Sequence, residues 1–263
     1  MSTSTTDLDA AAPVLDISST PAIPLSRLVR VELRKISDTR ASRWLLIAIA
    51  AITAAIIVIF FLTADQADRT FTNFMGVTAT PQGFLLPVLG ILLITSEWGQ
   101  RTALVTFTLM PVRGRVLLAK VLAALITGVA AIVLAMAIAA VATLLAGAPD
   151  GWNNIGADDI GKYGILQVSG VLQGLAFGLL FLNTAAAIVT YFVLPIAFSI
   201  VANLWSALNK AAPWVDLNTA QQPLFGGRHM SGEQWLHLAS GTGIWVLLPF
   251  VVGVVRVLRA EVK

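Results

Sequence analysis

Apolar stretches without a single Asp, Glu, Lys or Arg alternate with short charged loops along most of this chain. A helix that crosses the hydrocarbon core of a bilayer needs about 20 apolar residues, at about 1.5 Å of rise per residue. Five stretches meet that length, at 44–64, 70–96, 121–149, 163–209 and 234–255. The fourth is long enough for two helices, with a tight turn at its central polar pair, Asn183 and Thr184. The pattern therefore predicts six membrane-spanning helices, at about 44–63, 81–97, 116–146, 164–182, 185–205 and 235–256.

The amino-acid composition supports an all-α membrane protein and excludes several kinds of catalytic centre. Hydrophobic residues make up 57% of the 263 positions and charged residues 12%, which is about half the charged share of an average soluble domain. The chain has no cysteine and two histidines. Thiolate metal sites, disulfides and cysteine nucleophiles are therefore excluded, and we expect no metal or cofactor on this chain.

The distribution of basic residues predicts how the six helices cross the membrane. Thirteen of the 17 Lys and Arg residues fall on the side of the chain termini, and basic residues in short loops favour the cytoplasmic side. Both termini are therefore expected in the cytoplasm of a multi-pass protein of the cell membrane. The positive net charge then reflects topology, and no nucleic-acid partner is expected.

The N-terminal region divides into a polar tail and a basic amphipathic segment. Residues 1–24 lack the basic start and early apolar run of a secretory signal peptide. We expect a disordered cytoplasmic tail there, followed by a single transmembrane domain over 25–263. Between 25 and 43 the apolar residues share one helical arc opposite several arginines, which predicts an interfacial helix. Glu32 interrupts that arc, so a basic cap attracted to membrane lipids is a second open interpretation.

The segment between the second and third predicted helices carries the most information. Glu97 ends an apolar helix, where a carboxylate is unfavourable unless cations neutralise it. The cations expected to do so are Arg101, Arg113 and Arg115. Residues 102–110 are mostly apolar and too few to span a bilayer. We expect them to dock on a partner, and a half-buried loop packed on the protein's own helices is the alternative.

These residues resemble the permease subunits of ABC-2 type ABC transporters, particularly short actinobacterial ones. The resemblance rests on Thr-x-Glu at 95–97, Arg-Thr at 101–102, Met-Pro-x-Arg-x-Arg at 110–115 and Lys120. It extends to Val-Glu-Leu-Arg-Lys at 31–35, Gly-Leu-Ala-Phe-Gly at 174–178, Asn-Thr-Ala-Ala-Ala at 183–187 and the basic C-terminal tail. In that family an Arg commonly precedes the Asn-Thr turn, whereas Leu182 stands there in this chain.

The resemblance implies an ABC transporter permease that acts in efflux and does no chemistry of its own. A separate cytoplasmic ABC ATPase subunit would carry the ATP and Mg²⁺, and a second permease chain would complete a homodimer or a heterodimer. The 102–110 segment would be the coupling helix, and 211–234 a re-entrant outer segment before the last helix. The residues at or near the ATPase contact would be Glu97, Arg101, Thr102, Phe107, Pro111, Arg113 and Arg115.

The predicted spans carry no charged residue near their centres, so a transport pathway would offer apolar surface and neutral polar groups. This favours outward movement of a hydrophobic or amphipathic substrate, whose identity the pattern does not specify. An ion-coupled secondary transporter and a membrane-bound enzyme are the alternatives. The first usually carries intramembrane ionisable residues and the second clustered catalytic side chains. The polar pathway candidates are Thr53, Gln167, Ser169, Gln173, Ser199 and Asn203.

Three further motifs have simple structural interpretations. Residues 156–162 match the start of a phosphate-binding loop, but Tyr163 replaces the required Ser or Thr, and two neighbouring aspartates would repel phosphate. His229 and His237 have no third ligand nearby and are expected to be interfacial polar residues. Two overlapping GxxxG units, which fit internal packing and dimerisation equally well, comprise Gly170, Gly174 and Gly178.

The predicted topology places the loop at 148–163 outside the cell. Because the chain has no cysteine, Asn154→Cys introduces a single thiol, which a membrane-impermeant maleimide should label in intact cells. Ser37→Cys should stay unlabelled until the cells are lysed. Labelling of Asn154→Cys from the cytosolic side alone would show that the predicted topology is inverted.

Overall fold

A computed structural model describes residues 23–100, 102–110, 112–153, 155–225 and 229–259, with side chains except at Ala103. Those ranges contain helices and no strand. The helices are α1 (Leu25–Asp38), α2 (Arg40–Thr63), α3 (Phe71–Gly99), α4 (Ala103–Leu109), α5 (Arg113–Ala146), α6 (Ala157–Phe181), α7 (Thr184–Leu204), α8 (Ser206–Val215), α9 (Leu217–Gln221), α10 (Gly232–Thr242) and α11 (Leu248–Arg259). The predicted disordered tail falls almost entirely outside the described residues.

Six helices in the described part of the chain are long and apolar enough to cross a membrane. They are α2, α3, α5, α6, α7 and the segment Gly232–Arg259, in which a π-helical turn over Gly243–Leu247 joins α10 to α11. The predicted all-helical architecture with six apolar spans is thus confirmed. Most of these helices begin within a few residues of the predicted positions, whereas α3 and α6 begin clearly earlier.

Polar residues explain the early start of α3, predicted at about 81. The Thr70 side chain caps the helix by accepting a hydrogen bond from the backbone N–H of Asn73, at 3.3 Å. Thr78 and Gln82 make the first half of α3 look unlike a membrane segment, but both side chains are buried. Because they bond to other helices, polarity there does not indicate contact with water.

The residues that resemble a phosphate-binding loop form the first turns of α6. Asp158 and Asp159 lie in the first turn, where negative charge is favourable next to the helix N-terminus. The backbone N–H of Gly156 donates to Asp159 Oδ2 at 3.2 Å. No strand precedes this helix within the described residues, so the context that a phosphate-binding loop requires is missing.

A two-residue turn separates α6 from α7, as the central polar pair predicts. Leu182 adopts a left-handed backbone conformation with φ of 52°, and the Asn183 side chain caps α7 by accepting from the N–H of Ala186 at 3.0 Å. The Arg256 guanidinium of α11 donates to the carbonyl of Leu180. An arginine from the last helix therefore satisfies a carbonyl in the last turn of α6, just before this turn.

Close contact between α3 and α6 forms the centre of the bundle. A Cβ atom placed on Gly174 would overlap the carbonyl of Pro87, and one on Gly90 would lie 2.7 Å from the carbonyl oxygen of Val171. Small residues allow helix backbones to approach in this way. The GxxxG units of α6 therefore serve internal packing, which resolves the two interpretations that the sequence leaves open.

Two short helices and a 3₁₀ turn (Gln222–Phe225) follow α7 along the chain. The indole N–H of Trp245 donates to the carbonyl of Val215 at 2.7 Å, and the Ser240 hydroxyl donates to the carbonyl of Trp214 at 2.7 Å. These bonds satisfy carbonyls at the end of α8 and fix α8 against the last span.

The α3–α6 contact generates a stability prediction. Gly174→Ala should lower the free energy of unfolding by about 3 kcal/mol or more, at the upper end of the range typical of overpacking. The loss is large because the new Cβ meets backbone and not a movable side chain. Thermal unfolding of the detergent-purified protein would measure the loss. Gly164→Ala is the matched control on the same helix, because its Cβ would meet open space. Equal midpoints for the two variants would contradict the contact.

Candidate functional site

Four charged side chains from three helices meet where α1 packs against the end of α3 and the start of α5. The Lys120 ammonium lies 2.8 Å from Glu32 Oε2 and 2.9 Å from Glu97 Oε1. The Lys35 ammonium lies 2.7 Å from Glu32 Oε1 and 2.6 Å from Glu97 Oε1. We call these four residues the ion cluster. It contains two negative and two positive charges, so it is neutral as a unit.

Burial makes the ion cluster energetically important. Glu32, Glu97 and Lys120 are each less than a tenth exposed, and Lys120 also donates to the carbonyl of Leu93 at 3.3 Å. Removing one partner from a buried ion pair leaves an uncompensated charge, which typically costs about 3–5 kcal/mol. The cluster therefore fixes the relative positions of α1, α3 and α5.

The cations that pair with Glu97 are not the expected ones. Its carboxylate pairs with Lys35 and Lys120, whereas the sequence predicts Arg101, Arg113 and Arg115. Arg101 lies outside the described residues. Lys120 reaches the carboxylate because it lies on the buried side of α5, about two helical turns beyond Arg113.

Glu32 is the member of the ion cluster that sequence reasoning misjudged. A carboxylate on the apolar arc of α1 argues against an amphipathic helix only if that arc faces lipid. The arc instead packs on α5, and the neighbouring Ile36 is also buried. A carboxylate on a buried arc indicates a buried cation, and that signal was available in the sequence.

The electrostatics of Lys35 fit this arrangement. Burial alone would lower the pKa of the Lys35 ammonium, but the charges and hydrogen bonds of Glu32 and Glu97 outweigh burial and raise the pKa above the ordinary value of 10.5. The protonated Lys35 side chain therefore stabilises the fold below about pH 10.5, and this stabilisation is lost as the pH rises through the raised pKa.

The segment predicted to dock on a partner is a separate short helix, α4, that begins beside the ion cluster. The N–H of Thr102 donates to the carbonyl of Glu97 at 2.9 Å. Phe107 is buried against Trp98, with 6.3 Å between ring centroids, and the guanidinium of Arg113 lies 5.1 Å from the Phe107 ring centroid. The exposed apolar residues at α4 and just beyond it are Leu104, Val105, Leu109 and Val112.

Two arginines at the start of α5 connect this region to the ends of other helices. Arg113 donates to the carbonyls of Val257 and Leu258, at 3.0 and 3.4 Å. Arg115 donates to the carbonyl of Ile23 at 2.6 Å, just before α1. Of the predicted contact residues, the structure groups Glu97, Thr102, Phe107, Arg113 and Arg115 in one region, while Arg101 and Pro111 lie outside the described residues.

The predicted pathway residues fall in three different places. Gln167 and Gln173 line a cavity of about 400 Å³ between α3, α6, α7 and α9, and Gln221, which also lines it, donates to the hydroxyl of Ser169 at 2.8 Å. Ser199 and Asn203 line a second, more polar cavity of about 480 Å³ beside α8 and α9. Thr53 is buried in α2, where its hydroxyl has no hydrogen-bond partner among the described residues.

A buried polar network between α3 and α6 was not anticipated from the sequence. The Tyr163 hydroxyl donates to Gln82 Oε1 at 2.9 Å and lies 2.9 Å from the Thr78 hydroxyl. Gln167 Nε2 donates to the same Gln82 oxygen at 3.2 Å and to the carbonyl of Ala79 at 3.4 Å. Gln167 is therefore mainly a structural link between the two helices.

The remaining polar candidates do not form a metal site. His229 Nδ1 lies 3.3 Å from Asp158 Oδ2, which also pairs with the buried Lys162 at 2.6 Å. His237 packs edge-on against Trp214, with ring centroids 4.3 Å apart. In the described part of the chain, no group of three or more His, Cys, Asp or Glu residues could hold a metal ion.

Comparison with protein-family models and with curated proteins found no match to this chain. The arrangement of its own residues is therefore the basis for a functional proposal, together with the motif resemblance described above.

The ion cluster generates a second stability prediction. Lys120→Met should lower the free energy of unfolding by about 3–5 kcal/mol, because two buried carboxylates would share one cation. Arg34→Met is the control, since Arg34 pairs with Asp38 on the surface, where the two side chains are 82% and 65% exposed and the pair is worth about 1 kcal/mol or less.

A double variant tests whether the loss comes from the charge. Glu32→Gln combined with Lys120→Met leaves one carboxylate facing one ammonium, so it should be more stable than Lys120→Met alone. Thermal unfolding of the purified unchanged chain and the three variants measures these differences. Equal midpoints for Lys120→Met and Arg34→Met would contradict the assigned role of the cluster.

Proposed function

We propose that this chain is the membrane-spanning subunit of an ATP-driven exporter of the ABC-2 type. It would move a hydrophobic or amphipathic substrate outward, using ATP hydrolysed by a separate cytoplasmic ATPase subunit. The proposal rests on the motif resemblance and on six apolar helices in the predicted order. The observation that carries it is α4, a short helix with exposed apolar side chains attached directly to the ion cluster.

The surface of α4 suits a protein partner. Leu109 is 74% exposed and Val105 57% exposed, while Phe107 on the same helix is buried. A helix that is anchored by one aromatic residue and exposes aliphatic ones has the form of a docking element, because apolar surface gains free energy when a partner covers it. The positive-inside rule favours the cytoplasmic side for this surface, where an ATPase subunit would meet it.

The ion cluster would transmit movement of α4 to the membrane helices. Thr102 at the start of α4 bonds to the carbonyl of Glu97, and the Glu97 carboxylate bonds to Lys35 of α1 and Lys120 of α5. A displacement of α4 by a bound ATPase would therefore act on three helices together. α1 would serve as the interfacial helix and α4 as the coupling helix of the proposed transporter.

The rest of the architecture fits a permease that works as a dimer. In the most apolar 18-residue stretch of each helix, only 11% of the residues of α7 and 17% of those of α2 are buried within the chain. These helices therefore offer surface to lipid or to a second permease chain. α8, α9 and the following 3₁₀ turn would form the re-entrant outer segment. In the predicted topology both chain termini face the cytoplasm.

Affinity purification in mild detergent tests the proposal. A soluble subunit with a phosphate-binding loop should copurify with the chain, and the complex should hydrolyse ATP. Leu109→Asp should reduce the copurified subunit at least about tenfold, because a charge would have to be desolvated in the interface. Ser37→Asp adds the same charge to the exposed side of α1 and should leave the complex intact.

Two results would overturn the proposal. One is purification of the chain alone under conditions in which known ABC complexes survive. The other is equal recovery of the ATPase with Leu109→Asp and with the unchanged chain. In the first case, transport should be tested against proton and sodium gradients, which would drive an ion-coupled transporter.

A further inference from the structure

The side chain of Gln173 differs from the other polar side chains buried in α6. It is 7% exposed and lines the 400 Å³ cavity between α3, α6, α7 and α9. Gln167 on the same helix donates hydrogen bonds through Nε2, although its Oε1 atom is buried without a partner among the described residues, and the Ser169 hydroxyl also forms side-chain hydrogen bonds. The Gln173 carboxamide forms none with the described residues, although it lies more than two turns from either end of α6.

An unpaired carboxamide at this depth is unfavourable for the empty protein. The amide atoms of Gln173 are not sealed inside the protein, unlike Gln167 Oε1, so they face the cavity. Because a membrane span offers little water there, a polar group that lacks a hydrogen-bond partner is unfavourable. A leucine or methionine would fill the same volume without that loss. The Gln173 amide is therefore poorly explained by packing and well placed for a bound molecule.

Aromatic side chains form the wall of the cavity opposite α6. Phe84 of α3 stacks on Phe192 of α7, with ring centroids 5.6 Å apart, and Tyr191 meets Phe192 edge-on at 4.9 Å. The Tyr191 hydroxyl already donates to the carbonyl of Gly83 at 3.2 Å. Phe225, from the 3₁₀ turn after α9, adds a fourth ring and is 64% exposed. Flat aromatic molecules pack well against such rings.

The charges around the cavity restrict the ligand further. The described residues that line it include no Asp, Glu, Lys, Arg or His. A charged ligand would therefore lose hydration without meeting a counter-charge. Six polar side chains line it, four of which carry a carboxamide: Thr80, Gln167, Gln173, Tyr191, Asn218 and Gln221. A carboxamide offers an acceptor oxygen and donor N–H groups side by side, and a cyclic amide presents the complementary pair.

We propose that this cavity binds an uncharged aromatic molecule that carries an amide or lactam group, with the Gln173 carboxamide as its hydrogen-bonding partner. The inference rests on the proposed function in one respect, because it names the substrate class of the exporter. Binding itself requires only the cavity, and it can be measured without an ATPase subunit. Aromatic rings would hold the body of the ligand, and Gln173 would select for its amide group.

A pair of probes that differ in one hydrogen-bond donor tests this assignment. The full chain in lipid nanodiscs is titrated with 2-quinolone, a fluorescent aromatic lactam, and with 1-methylquinolin-2-one, which lacks the N–H. Empty nanodiscs give the background for partition into lipid. The unchanged chain should bind 2-quinolone about tenfold more tightly, because a site that pairs with an N–H rejects an analogue without one.

Three variants separate the site from unspecific binding. Gln173→Met should reduce the preference for 2-quinolone to about twofold or less and should keep or raise the thermal midpoint, because no internal hydrogen bond is lost. Gln167→Met is the matched control, which breaks two internal bonds and should lower the midpoint. Ile196→Trp fills the cavity from a residue that is 60% exposed and should abolish binding of both probes.

The outcomes distinguish this inference from the proposed function. Equal affinity for the two probes, an undiminished preference in Gln173→Met, or unchanged binding in Ile196→Trp would each overturn the ligand assignment. Should Gln173→Met fail to fold, the probe pair and Ile196→Trp still decide the question. None of these results depends on an ATPase partner, and failure to copurify an ATPase would leave the binding result standing.

Discussion

α3 and α6 approach each other so closely that the position of Gly174 leaves no room for a side chain beside the carbonyl of Pro87. In a membrane the hydrophobic effect does not favour helix–helix contact over helix–lipid contact, so close packing of small residues has to provide it. The other helices are arranged around this pair. α5 approaches α6 at Gly128 beside Val171, and α11 approaches it at Gly253 beside Leu179.

The ion cluster is the polar counterpart of that packing and lies at one end of the same bundle. Two carboxylates and two ammonium groups from α1, α3 and α5 neutralise one another in a place where a single charge would be very unfavourable. Because each group has at least two partners, the cluster fixes the geometry of the three helices more strictly than a single pair would. α4 begins shortly after Glu97, which carries the shared carboxylate, and the N–H of Thr102 before α4 donates to the Glu97 carbonyl.

Buried polar groups inside the bundle have two different roles. Tyr163, Gln82 and Gln167 bond to one another and hold α3 to α6, so their polar atoms are largely used within the protein. Gln173 lies on the same helix, faces an aromatic cavity and has no partner within the described residues. Two glutamines on one helix thus have different roles, because Gln167 serves internal structure and Gln173 offers a binding group.

The sequence by itself determined the helical class, the six apolar spans, the tight turn at Asn183 and the separate short segment after Glu97. These follow from local rules, because a span needs an apolar length and a helix needs a cap. It did not reveal the pairing of Glu97 with Lys35 and Lys120, the network around Tyr163, or the contrast between Gln167 and Gln173. Those features join residues that lie far apart along the chain. Only the packing of α1, α3, α5 and α6 decides which polar side chains are neutralised and which, Gln173 among them, are left without a partner.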